Sequence, residues 1–242
     1  IAEDERFGPD GRDDDLPGEL ARRESRLAKI RKAKADLETE ASERAAAKAG
    51  AQARKRGAGE AEATEAAEQA AAEATPQDKA QRNLTDPDSR IMKTSENSFH
   101  QCYNAQAVVD DAHQVIVATR LGNSSADAPT FEPMLDETIT NCGIKPRQVL
   151  ADAGYFSEGN VAAAAEVGVD ALIATGRMKH GETPPPAHRG PIPKNATPKQ
   201  RMARKLRTKP GKAAYARRKA IVEPVFGQID TCQGGKRVLL RG

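Results

Sequence analysis

Val149-Leu150-Ala151-Asp152-Ala153-Gly154-Tyr155 is the stretch on which the reading of this chain turns. A short apolar run ends in a single acid, and a small Ala-Gly pair follows at once. Apolar runs of this length bounded by turn residues form buried strands. Asp152 is therefore expected at the C-terminal lip of a buried strand, Gln148–Ala151. A second isolated carboxylate, Glu223, lies in the later stretch Tyr215–Gly227, behind a dense basic run on a helical pattern. A strand-end aspartate and a helix-borne glutamate that converge can hold a divalent cation. A cation among basic side chains suits phosphodiester chemistry.

Working outward, Tyr103–Asp110 and Gln114–Leu121 are β-rich runs joined at Asp110–His113, a hairpin signal. Asp127–Asn141 predicts a helix, with Phe131, Met134, Leu135 and Ile139 at helical spacing and Asp127 as its cap. Ser157–Val167 is a second helix with Ser157 at the N-cap, and Val169–Ala174 another strand. Gly176–Thr197, with Pro184-Pro185-Pro186, is a loop. A basic helical region follows and runs through Glu223, where Pro224 is expected to kink or restart the helix. Asp86, Asp88 and Asp110 read as turn formers.

The N-terminal third is different in kind. Residues 1–15 read as an acidic lead-in. Leu16, Leu20, Leu27, Ile30, Leu37 and Ala41 then fall on a/d positions, interrupted by Arg23 and Lys34, and predict one amphipathic helix of about 25 residues. From Glu38 to Asn83 there is no Leu, Ile, Val, Met or Phe. Alanine favours helix, but without an apolar stripe a helix buries little. This segment reads as two solvated helical stretches, or disorder, broken near Arg56–Gly59. The resulting division is a helical or coiled-coil-like part, residues 1–80, and a second part, residues 81–242.

The formal net charge of the 242 residues is only +3, yet Lys199–Lys219 alone holds ten Lys or Arg. Such a block predicts a polyanionic partner bound with steep salt dependence; a solvated, disordered tail is the alternative. Cys102, Cys142 and Cys232 lack C-x-x-C spacing and fit reduced thiols of a cytoplasmic protein. His100, His113, His180 and His188 show no ligand spacing. No apolar run reaches the length of a membrane span and no signal peptide is visible. A chain beginning at Ile1 reads as a fragment or processed product.

Asp152 in L-A-D-A-G-Y and Glu223 in Y-x-x-x-K-x-x-x-E-P-V-F-G resemble the second and third acids of the DDE transposases of bacterial insertion sequences. Asn83–Met92, Tyr103–Asp110 and Gly235–Gly242 are similar to the same family, and the helical stretch before them resembles an insert some members carry. The resemblance implies an α/β fold, a ribonuclease H-like mixed sheet with flanking helices. That sheet would be incomplete, because its central first strand and first catalytic Asp would lie upstream of Ile1. It implies a DNA transposase that binds transposon ends and performs metal-dependent cleavage and strand transfer, acting as a homo-oligomer. Mg2+ or Mn2+ would be held by Asp152 and Glu223, the catalytic residues. Tyr215, Arg218, Lys219, Lys236 and Arg237 would contact DNA. The family signature has a lysine seven positions after its glutamate, where this chain has Asp230. This chain alone is expected to be inactive. A non-catalytic DNA-binding remnant and a coiled-coil assembly protein are the competing readings.

Overall fold

The computed structural model describes residues 12–94, 97–176 and 190–235. The chain divides into two compact units, Ile1–Ile91 (with Arg241–Gly242) and Met92–Leu240. Lys236 and Arg237, proposed from the sequence as DNA contacts, lie outside the described residues.

The first unit is a helical hairpin. Helix α1 (Arg12–Lys55) and helix α2 (Glu60–Glu73) are joined at Arg56–Gly59, where Gly57 takes a φ of 86° that a side chain would resist. The turn falls where the sequence suggested a break. The heptad helix, however, does not stop after about 25 residues; it continues through the alanine-rich part as one rod. Alanine propensity explains this, helped by close packing of small residues. Ala63 is 1% exposed. A Cβ on Gly50 would lie 3.5 Å from the Ala63 carbonyl oxygen and 3.6 Å from the Ala67 Cβ. The chain after α2 is fastened back to α1, since Glu40 Oε1 accepts from Arg82 Nη1 at 3.0 Å and also from Arg90.

The second unit is mixed α/β. Strand β1 (Arg90–Lys93) enters it, followed by β2 (Phe99–Cys102), β3 (Asn104–Val109) and β4 (Ile116–Gly122). β3 and β4 form the expected antiparallel hairpin, with a bulge between Val108 and Val109. Asp110 closes its turn as foreseen, accepting from the His113 N–H at 2.8 Å. A 3-10 turn (Ala128–Thr130) leads into helix α3 (Phe131–Cys142), then strand β5 (Gln148–Ala151), a second 3-10 turn (Ala153–Tyr155), helix α4 (Glu158–Glu166) and strand β6 (Asp170–Ile173). β5 and β6 pair in parallel, from Gln148 opposite Asp170 to Ala151 opposite Ile173. Ser157 caps α4 by accepting from Asn160 N–H at 2.9 Å. Phe131, Leu135, Ala151, Ala164, Val169, Ala171, Ile173 and Met202 form the core beneath this ladder.

The basic block is structured. Helix α5 (Pro198–Arg207) starts on a capping box between Thr197 and Gln200, and helix α6 (Lys209–Cys232) starts on Thr208. Several cations hold the block in place. Lys205 bonds to Asp170 and to the Ala171 carbonyl, and Arg204 donates to the Pro191 carbonyl at 3.0 Å.

Pro224 does not break α6, contrary to the sequence expectation; the helix runs through it. A proline there leaves the carbonyl four residues earlier, Ala220, without its helical donor. Gln114 Nε2 supplies the donor instead at 2.9 Å, from a residue held at a φ of 57°.

Candidate active site

Between β3 and β5 lies a cleft of about 770 Å3 whose walls include the consecutive residues Asn104–Asp111 and Arg147–Asp152. Among the described residues, β3 pairs with β4 and β5 with β6. Ala214, Arg217, Arg218, Ile221, Val222 and Phe226 of α6 line the same cleft.

Asp152 stands at the end of β5, as expected. Its Oδ1 accepts the Gly154 N–H at 2.8 Å, a tight turn that aims the carboxylate at the mouth of the cleft. A second carboxylate meets it there. A Cβ on Gly154 would lie 2.2 Å from Asp127 Oδ2 and 3.1 Å from Asp152 Oδ1, so those two oxygens flank the same bare α-carbon. Glycine is required at this point by space, not by backbone angle.

Asp127 corrects a sequence expectation. It precedes the turn into α3, but its side chain makes no capping bond. Its Oδ1 accepts instead from Asn104 Nδ2 at 2.8 Å and from Gln106 Nε2 at 2.7 Å. Gln106 is buried and its Oε1 accepts from Thr130, so the amide is satisfied at both ends. Since the start of β3 and the end of β5 share Asp127 and Gly154, the two strands run in opposite directions along the cleft. Asn160 completes the frame, donating to the carbonyls of Ala128 and Tyr155, both at 2.8 Å. Nothing local in the sequence marked Asp127. The alternation in Asn104-Ala105-Gln106, which puts two amides on one strand face, was the available signal.

Two tyrosines border the pair. Burial pushes the Tyr155 hydroxyl up to about 12, with Asp127 and Asp152 adding to the shift. Tyr215 is also raised, first by burial and further by Asp152, while Arg218 opposes the change. Both phenols therefore stay protonated near neutral pH and act as donors. Tyr215 donates to the Ala151 carbonyl at 3.1 Å, so it packs beneath the helix. Arg218 stacks on the Tyr215 ring, 5.7 Å from its centroid, and its buried Nε makes no hydrogen bond.

Glu223 is not among the residues lining the cleft. Its side chain is 68% exposed and faces Lys219, 3.9 Å away and itself 72% exposed. It lies two helical turns past Tyr215, roughly 12 Å of axial rise, and the intervening Ala220 is held by Gln114 at the hairpin turn. The structure thus brings Tyr215 and Arg218 to the Asp152 end of the cleft and leaves Glu223 and Lys219 on the surface of α6.

As a cation site, Asp127 and Asp152 offer two hard oxygen donors side by side. A magnesium ion is commonly held by one or two carboxylates with substrate phosphate and water completing the shell, so the pair fits one such ion. No group of three or more His, Cys, Asp or Glu gathers among the described residues. No described helix is long and apolar enough to cross a membrane.

Comparison with known proteins found no match among curated proteins or solved structures. The sequence pattern of one family, the transposase DDE domain, does match, over residues 73–242. That span exceeds half the chain and takes in the cleft, both aspartates and all of α6, so this chain belongs to the transposase DDE-domain family.

Proposed function

We propose that the chain is the DNA-processing part of a transposase acting in the cytoplasm, which binds transposon-end DNA and takes part in metal-dependent cleavage and strand transfer. The observation that carries this reading is Asp152 at the end of β5, its carboxylate beside that of Asp127. The hairpin–helix–strand–helix–strand–helix order supports a ribonuclease H-like arrangement, with the cleft between β3 and β5 at its centre. Magnesium or manganese held at Asp152 would polarise a phosphodiester and favour ionisation of the attacking hydroxyl or water. The chain's own residues act around that centre. Tyr155 presents a protonated hydroxyl beside the acids, and Arg218 offers a cation to phosphate. Exposed lysines of α5 and α6 attract the DNA backbone.

Glu223 is the second catalytic and metal-binding acid in this reading. Its bond to Lys219 is a surface ion pair of the kind that contributes little to stability, so exchange of Lys219 for a cation costs little. The test is Mg2+-dependent nicking of supercoiled DNA, by this chain and by a form extended at its N-terminus, alongside Asp152→Ala and Glu223→Gln variants of each. Loss of nicking in both variants supports the assignment. Undiminished nicking by Asp152→Ala rejects it.

A further inference from the structure

We propose that two copies of this chain associate by antiparallel pairing of the N-terminal halves of α1. Along that helix the apolar seam divides in two. Its second half is covered from within: Leu37 and Ala41 are half-buried, near the point where Glu40 takes the two arginines and where α2 begins to pack. Its first half is bare, with Leu20, Leu27 and Ile30 respectively 53%, 46% and 47% exposed. The uncovered residues continue the covered ones at the same heptad positions, so the vacant seam extends an existing helix–helix contact. What fits a narrow seam with this repeat is another helix.

Charge decides which helix and which direction. The first turns carry Asp13, Asp14, Asp15 and Glu19, whereas Arg22–Lys34 holds seven Lys or Arg and one Glu. A second copy laid antiparallel sets each acidic end against the other's basic stretch. It also places Leu20 opposite Ile30, and Arg23 opposite Leu27. A parallel pair in register would instead stack Arg23 on Arg23 and Lys34 on Lys34 in the seam, with basic flanks facing basic flanks. Like charges held face to face oppose association. The antiparallel arrangement alone satisfies both the apolar and the ionic pattern.

The test uses the full chain, nuclease-treated, in sedimentation velocity across a concentration series. A reversible dimer is expected, weakened by added salt because opposed charges hold it. Leu20→Glu with Leu27→Glu should weaken it by about 100-fold or more, since two apolar seam residues become charged. Direction is read by crosslinking in a background with Cys102, Cys142 and Cys232 replaced by serine. Leu20→Cys mixed with Ile30→Cys should form a disulfide between chains, and Leu20→Cys alone should not. A chain that stays monomeric at about 100 μM, where contacts of this size normally register, would overturn the proposal. So would Leu20→Cys self-crosslinking, or a dimer that persists unchanged in the double glutamate variant.

Discussion

Replacing Gly154 by alanine is the sharpest probe of the carboxylate pair. The new methyl would fall 2.2 Å from Asp127 Oδ2 and 3.2 Å from its Cγ, so the carboxylate must withdraw by about an ångström to reach ordinary contact. Asp127 is anchored by the amides of Asn104 and Gln106 at 2.8 and 2.7 Å, and withdrawal sacrifices at least one of them. A hydrogen bond to a charged group is worth about 1.5–3 kcal/mol. Alanine returns about 0.4–1 kcal/mol by restricting the unfolded chain. The net loss expected for Gly154→Ala is therefore about 1–2 kcal/mol, a fall in melting temperature of a few degrees for a unit of this size. The cause is isolated by a double-mutant cycle. In an Asp127→Ala background the obstructing oxygen is gone, and Gly154→Ala should become nearly neutral, giving a coupling of about 1–2 kcal/mol. Urea denaturation of the four proteins measures it. If the two single changes simply add to within about 0.5 kcal/mol, Asp127 and Gly154 are not in contact and the paired-acid site is refuted.

Pro224→Ala should stabilise the protein by about 1–3 kcal/mol, because the helix regains a donor and loses a ring clash; thermal denaturation reads this. In the same assay Gln114→Ala should cost about 0.5–1.5 kcal/mol in the native sequence, and clearly less beside Pro224→Ala, where the Ala220 carbonyl has its own partner. Replacing Lys199, Lys209 and Lys212 together by glutamine should weaken DNA binding and flatten the plot of log affinity against log salt by up to about 0.9 per phosphate contact removed. An unchanged slope would show that the DNA lies elsewhere. At alkaline pH the folded state holds the Tyr155 proton while the unfolded chain releases it near pH 10. Stability should be undiminished below that value and decline toward pH 12. Tyr155→Phe should lessen that decline, though Tyr215 titrates in the same direction.

Elements whose signals are local were legible in the sequence. Gln148–Ala151 is a strand with the boundaries its apolar run suggested, and Ser157 caps the helix its neighbours promised. The hairpin and α3 differ from expectation only at their ends. What escaped were features assembled over distance. Asp127 has partners in a strand twenty residues earlier, and in its immediate context it looks like any helix cap. The continuity of α1 past Glu38 depends on α2 packing against a Gly–Ala surface that has no hydrophobic signature. Glu223 and Asp152 look equivalent as lone acids in apolar or basic settings. Only the path of α6 shows that one faces the cleft and the other faces water. Pro224 misled because its effect on a helix depends on whether another side chain reaches the carbonyl it strands.

That last arrangement amounts to an indexing pin. A helix with an unbroken ladder presents the same featureless backbone at every step, and could slide along its groove by a residue with little penalty to its main chain. The single vacancy at Ala220, engaged by an amide that protrudes from the hairpin turn, picks out one axial setting among many. Tyr215 and Arg218 inherit their station at the acidic end of the cleft from a defect engaged at the opposite end.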